Sequence, residues 1–161
     1  MDRTQTLNVI MNQLGRKLRL ALYEASDGPR VMIFGPLDAD FSSLQKLFVQ
    51  LSQKPGMSCK LEEEPFVATF GGVSVSMSCS GPMFSEINSA AHGLRRNQQE
   101  SDPVFKWQRS AEGWDYLAEL IHVLATGTNG GHQYLTSYPS EDAIVVVSKG
   151  EYGDEVLEKL G

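Results

Sequence analysis

Cysteines, long apolar runs and a leader-like N-terminus are scarce or missing in this chain. The two cysteines, Cys59 and Cys79, do not form a CxxC motif, which excludes a disulfide scaffold and favours reduced, buried thiols. No apolar run approaches the roughly 20 residues that a membrane span needs. The first twenty residues also lack the apolar segment and cleavage site of a secretory signal. These absences predict a cytoplasmic protein that does not enter a membrane.

Motifs for metal, cofactor or nucleophile chemistry are missing as well. The three histidines, His92, His122 and His132, are far apart in the sequence and show no HExxH frame. The glycine-rich stretch at 126–132 follows a predicted helix and precedes a predicted strand, whereas a phosphate-binding loop needs a strand before it and a helix after it. No G-x-S-x-G elbow is present. We therefore expect no metal, no cofactor and no catalytic triad.

One short stretch, DADFS at residues 38–42, follows an apolar segment and opens a predicted helix. Its D-x-D-x-S pattern is similar to the aspartate motif of haloacid-dehalogenase-type phosphatases, and the resemblance implies a nucleophilic role for Asp38. Three residues separate the predicted strand from Asp38, whereas that family places this aspartate at the strand tip. Capping of the helix by Asp38 or Asp40 explains both carboxylates, and we expect that role.

The charge of the chain is uneven along its length. Its net charge is −6. Residues 1–60 carry eight basic and five acidic residues, and residues 61–161 carry six basic and fifteen acidic ones, so the balances are +3 and −9. An acidic C-terminal half argues against nucleic-acid binding there and favours a basic protein partner, although acidity can also serve solubility alone.

Apolar periodicity predicts an α+β fold in one globular domain spanning residues 1–161: an antiparallel sheet built from hairpins, packed on one face by two or three helices. A helix over 4–14 is predicted, followed by a hairpin that turns at Asp27-Gly28. The alternative is one helix that continues from residue 4 through 24. Other predicted elements are helices over 41–51, 110–126 and 154–160, a short helix over 84–94, an exposed loop over 95–102 and a strand over 104–109. The tryptophans Trp107 and Trp114 are expected in the core.

The most regular pattern lies in residues 66–79. Phe66, Ala68 and Phe70 alternate up to Gly71-Gly72, and Val73, Val75 and Met77 alternate after it. A two-residue loop would place these apolar side chains opposite one another, so the pattern predicts a hairpin. Its other face would carry Ser74, Ser76 and Ser78.

Residues 130–152 concentrate polar side chains around a predicted hairpin with strands at 132–136 and 143–147. In that hairpin His132 and Glu151 lie at the open end, where they could pair. Such a pair serves general acid–base chemistry or simply holds two strand ends together, and we expect the structural role. Tyr138 and Tyr152 are the expected exposed anchors for a partner, with Asp142 and Glu151 beside them.

These observations favour a non-enzymatic module that binds a basic protein through its acidic C-terminal half. Size, acidity and a hairpin-rich plan resemble those of small bacterial immunity or inhibitor proteins, and the resemblance implies an inhibitory role. The alternative is a small hydrolase or transferase that uses His132 with Glu151 or Asp142, aided by Tyr134 or Tyr138. A third hypothesis is a homodimer that pairs through the serine-rich strand face.

Overall fold

A computed structural model describes residues 14–81 and 92–160 of the chain. Within them lie nine strands and three α-helices. The strands are β1 (Leu18–Ala25), β2 (Gly28–Gly35), β3 (Ser58–Lys60), β4 (Val67–Thr69), β5 (Ser74–Cys79), β6 (Gly93–Arg96), β7 (Val104–Arg109), β8 (Gly131–Tyr134) and β9 (Ile144–Lys149). The helices are α1 (Phe41–Gln53), α2 (Ala111–Thr126) and α3 (Val156–Leu160). The predicted helix over 4–14 lies outside the described residues except for its last residue, and most of the predicted helix over 84–94 does too.

The strands form two mixed sheets. Sheet A has the order β4-β1-β2-β9-β8, and sheet B has the order β3-β5-β7-β6. The β1–β2 and β8–β9 pairs are antiparallel, while β2–β9, β1–β4 and β5–β7 are parallel. The predicted α+β class with helices packed on sheet is confirmed, but the strands are divided between two mixed sheets and do not form one antiparallel sheet.

Two predicted hairpins are present, and a third is not. β1 and β2 turn through residues 26–27, and β8 pairs with β9. The predicted hairpin over 66–79 is wrong, because β4 pairs with β1 in sheet A whereas β5 pairs with β3 and β7 in sheet B. Gly71 and Gly72 have φ values of +71° and +70°. Only glycine adopts this left-handed conformation readily. The two glycines connect β4 in sheet A to β5 in sheet B.

The main core lies between the inner faces of the two sheets and the helix pair α1 and α2. Phe48 of α1 packs against Trp107 and Trp114, with ring centroids 5.8 and 5.2 Å away. The Trp114 Nε1–H donates to the Ser78 carbonyl at 2.9 Å. Both tryptophans are fully buried, as predicted.

The N-termini of α1 and α2 are both capped by side chains. The Asp40 carboxylate accepts from the Ser43 N–H at 3.0 Å, and the Ser110 hydroxyl accepts from the Gly113 N–H at 3.1 Å. Asp40 is therefore engaged in capping α1, while Asp38 is exposed.

The loop predicted over 95–102 begins later than expected, because β6 occupies Gly93–Arg96. The open edge of β6 is covered by the loop that precedes β9. Glu141 accepts from the Leu94 N–H at 2.9 Å, and Asp142 accepts from the Arg96 N–H at 2.8 Å. Two carboxylates thus satisfy edge donors that could otherwise pair with another strand.

Sheet A also has an outer face that points away from the main core. Ala21, Met32, Phe34 and Val146 alternate onto this face and pack against Leu157 of α3 in a second, smaller cluster. A salt bridge between Arg19 and Asp154, with Nε 3.0 Å from Oδ1, holds the segment that leads into α3. The short helix α3 covers only part of the outer face.

Candidate functional site

Strand register places the polar residues of the 130–152 segment on the outer face of sheet A. His132 lies opposite Ser148, and Tyr134 lies opposite Val146. Val146 in turn pairs with Met32 of the outer cluster. Because residues directly opposite in a sheet share a face, His132 and Tyr134 lie beside that cluster.

Glu151 reaches the same face through a turn at Gly150. This glycine has a φ of +70°, and a Cβ there would lie 2.6 Å from Leu37 Cδ2, so the turn requires glycine. The turn sets the Glu151 carboxylate next to His132, with Nδ1 2.9 Å from Oε1 and 3.0 Å from Oε2. The two residues that the sequence placed at the open end of the hairpin are therefore in contact.

Ser148 is the third member of this cluster, and the sequence did not single it out. Its buried hydroxyl donates to Glu151 Oε1 at 2.6 Å. That hydrogen bond, together with the contact from His132, lowers the pKa of the Glu151 carboxyl against the opposing effect of its partial burial. Glu151 is thus stabilised as a carboxylate.

This geometry orients the His132 ring, but in the described part of the chain it does not place a nucleophile beside the ring. Glu151 occupies Nδ1 of His132, and the imidazole is 43% exposed, so Nε2 is the nitrogen left for a proton transfer. The Ser148 hydroxyl points to Glu151 and not to His132, whereas a catalytic serine needs its base as partner. His132 also lines none of the three cavities described for residues 14–81 and 92–160. It lies on an open surface.

Asp142 is engaged elsewhere. Its carboxylate accepts from the Arg96 N–H and lies 3.6 Å from Arg95 Nη1, so its role in the structure is to cover the edge of β6. The hydrogen bonds of Glu151 go to His132 and Ser148. Of the two carboxylates proposed as partners for His132, the structure places Glu151 in that position.

Four tyrosines lie on or beside the outer face of sheet A, the face that carries this cluster. Tyr152 packs edge-on against Phe34 at 6.3 Å, and Tyr134 packs edge-on against His132 at 5.1 Å. Tyr23 lies on the outer face with Tyr152, and the Tyr138 ring lies against Gly28 at the start of β2. We call this surface, made of Tyr23, Tyr134, Tyr138, Tyr152, His132 and Glu151, the tyrosine face.

The sequence indicated Tyr138 and Tyr152 but missed Tyr23. Its signal was present: Leu18, Leu20 and Leu22 alternate onto the inner face, so Tyr23 must point outward. What the sequence did not reveal is that β2 pairs in parallel with β9, which brings β1 and β2 onto the surface that carries His132.

Lys149 is a buried charge that the sequence did not single out. It is only 4% exposed, and its Nζ donates to the carbonyls of Leu124 and Gly127 at 2.7 and 2.5 Å. Gly127, at the end of α2, has a φ of −70° and a ψ of 148° and so does not form a left-handed cap. Lys149 therefore donates to carbonyls that the backbone N–H groups of a left-handed cap would otherwise satisfy.

Other chemistry is sparse in the described part of the chain. It has no group of three or more His, Cys, Asp or Glu side chains that could hold a metal ion, and no helix there is long and apolar enough to cross a membrane. Burial and the nearby Glu64 and Glu62 carboxylates raise the pKa of the Cys59 thiol to about 11, which leaves it weakly nucleophilic at neutral pH.

No protein-family model, curated protein or solved structure matches this chain. A function for this chain must therefore be inferred from the arrangement of its own side chains.

Proposed function

We propose that the chain is a non-enzymatic protein-binding module, that the tyrosine face is its contact surface and that its partner is basic. The observation that carries the proposal is the exposure of Tyr23, Tyr134, Tyr138 and Tyr152. Each of these side chains is 40–54% exposed, and all four belong to the tyrosine face. Tyrosine is enriched in protein interfaces, since it adds a large rigid contact area and a hydroxyl that tolerates water.

Charge supports a basic partner. The segment 150–160 that borders the tyrosine face carries four acidic residues and one lysine. Asp154 is neutralised by Arg19 and Glu151 contacts His132, which leaves Glu155 and Glu158 as the exposed carboxylates of this segment, with the cations Arg30 and Lys159 beside Tyr23 and Tyr152. Rim carboxylates of this kind speed the approach of a positively charged surface. An inhibitor or immunity-type protein that covers a basic site is the role that this surface fits best.

Capture of the partner by matched tyrosine variants tests the proposal. Tyr134→Ala and Tyr152→Ala are compared with Tyr116→Ala, since Tyr116 is equally exposed but lies on α2, away from the tyrosine face. The wild-type chain and Tyr116→Ala should retain a basic protein from extracts of the native host. The two tyrosine-face variants should weaken its binding by about tenfold or more, the loss expected at an interface hot spot.

Equal retention by all variants, or an acidic partner, would contradict the proposal. So would association of the chain with itself through the serine-rich face of β5, the homodimer hypothesis. That interaction would be lost on replacing Ser76 by Glu and unaffected by the tyrosine variants.

A second candidate function is supported by the contact between His132 and Glu151. A carboxylate that orients Nδ1 leaves Nε2 available as a general base, as a small hydrolase or transferase would need. Hydrolysis of ester or phosphate-ester substrates that is abolished in His132→Ala, and retained in His122→Ala, would favour this candidate. His122 is the matched control because it is an exposed histidine on α2 that contacts Gln45.

A further inference from the structure

A cavity of about 190 Å³ lies between the outer face of sheet A and α3. Its apolar part is formed by Met32 and Val146, its aromatic walls are Tyr23 and Tyr152, and its cations are Arg30 and Lys159. Val156 of α3 completes the described lining. The cavity is separate from the His132–Glu151 contact, although Tyr152 follows Glu151 directly in the chain.

Its size matches a single aromatic ring. A cavity of about 150 Å³ lined by aliphatic and aromatic side chains is large enough to hold benzene, while sites for drug-sized molecules begin at about 300 Å³. Two tyrosine rings and two apolar side chains provide the edges and faces that an aromatic ring prefers. A small monocyclic ligand is the class that this volume selects.

The polar part of the lining selects an anion. Among the described residues it contains two cations and no carboxylate. The Asp27 carboxylate accepts from Arg30 Nη2 at 2.9 Å, which orients the guanidinium. Arg30 lines the cavity, and a planar guanidinium fork pairs well with a carboxylate.

We infer that this cavity binds a small aromatic carboxylate, with the ring between Tyr23 and Tyr152 and the carboxylate directed to Arg30 and Lys159. The inference goes beyond the proposed protein-binding function and does not depend on it. Tyr152 belongs to both the tyrosine face and the cavity, whereas Tyr134 is not part of the cavity lining, so Tyr134→Ala is the variant that lets the two proposals fail separately.

The experiment titrates the wild-type chain with benzoate and, separately, with benzamide, its uncharged isostere. The signal is the Met32 methyl resonance, assigned with Met32→Leu. We expect benzoate to shift it saturably with a Kd of about 1 mM or tighter, as a strong ligand of this size can achieve. Benzamide should bind at least about tenfold more weakly, because its neutral amide offers a single acceptor oxygen and no negative charge to pair with the guanidinium.

Variants of Arg30 and Lys159 test where the carboxylate of the ligand binds. Arg30→Gln and Lys159→Gln should each weaken benzoate binding by about fivefold or more and affect benzamide binding less, since only the carboxylate carries a charge that pairs with these cations. Lys106→Gln is the matched control, because Lys106 is an exposed cation on β7 in the other sheet. Three results would overturn the inference: no saturable shift with benzoate, equal affinities for benzoate and benzamide, or an equal loss in Lys106→Gln.

Discussion

Glu151 accepts hydrogen bonds from two side chains that arrive from different strands. Ser148 belongs to β9, His132 belongs to β8, and both contact the same carboxylate. Their contacts lower its pKa, so the folded chain binds a proton at Glu151 less readily than the unfolded chain does. The cluster therefore links the end of the β8–β9 hairpin to the ionisation of one residue.

This linkage gives a pH dependence with a definite sign. A carboxyl whose pKa is lower in the folded state stabilises the fold above its unfolded pKa, about 4.3 for glutamate, and that stabilisation is lost as the pH falls through the folded value. We expect the free energy of unfolding to decrease less on acidification in Glu151→Gln than in the wild type. Urea unfolding at about pH 6 and about pH 3.5 measures the difference.

Glu155→Gln serves as the control, since Glu155 is an exposed glutamate in the same segment. It should behave like the wild type. The same loss of stability in Glu151→Gln and wild type between the two pH values would show that the Ser148 and His132 contacts do not stabilise the carboxylate.

At the scale of elements, the end of α2 depends on β9. Lys149→Met keeps the length of the side chain but removes the donor to the Leu124 and Gly127 carbonyls. Carbonyls that lose a charged hydrogen-bond donor in a buried site destabilise a fold. We predict a decrease of about 2–3 kcal/mol in the free energy of unfolding, measured by urea denaturation. Lys60→Met, at an exposed position of β3, should change it by less than about 0.5 kcal/mol; equal effects would exclude the capping role.

Local pattern was sufficient to predict α1, α2 and α3, the capping of α1 and two hairpins. Asp40 and Ser110 lie at the starts of clear apolar stripes, and the strands of the β1–β2 and β8–β9 pairs follow one another along the chain. These features involve residues that are close in sequence, so their signals are local.

The pairing of strands from distant parts of the chain was not predictable in the same way. The alternation in β5 correctly placed Val75 and Met77 in the core, but alternation does not identify the neighbouring strand. The parallel pairs β2–β9 and β5–β7 join segments more than 25 residues apart. The β2–β9 pair creates the tyrosine face and the cavity beside α3, which is why the sequence indicated His132, Glu151 and Tyr152 but not Tyr23 and Arg30.

At the scale of the whole molecule, the main core and the tyrosine face occupy different parts of the fold. One core between the two sheets and the helix pair buries the tryptophans, while the outer face of sheet A keeps its tyrosines exposed. Carboxylates elsewhere have structural roles, since Glu141 and Asp142 cover the β6 edge. Glu155 and Glu158 are exposed in the segment that borders the tyrosine face, and we propose that they act on a partner.

The central claim is that a basic protein binds this acidic, tyrosine-bearing face. The most direct measurement is the association rate of the captured partner with the purified chain between about 50 and 500 mM salt. The Debye length is about 10 Å at about 0.1 M salt and becomes shorter as salt is added, so this range changes the screening of surface charges. We predict that the rate falls by about tenfold or more over this range, since screening removes electrostatic steering, and that Tyr134→Ala mainly increases the dissociation rate. An association rate that does not change with salt would contradict the claim.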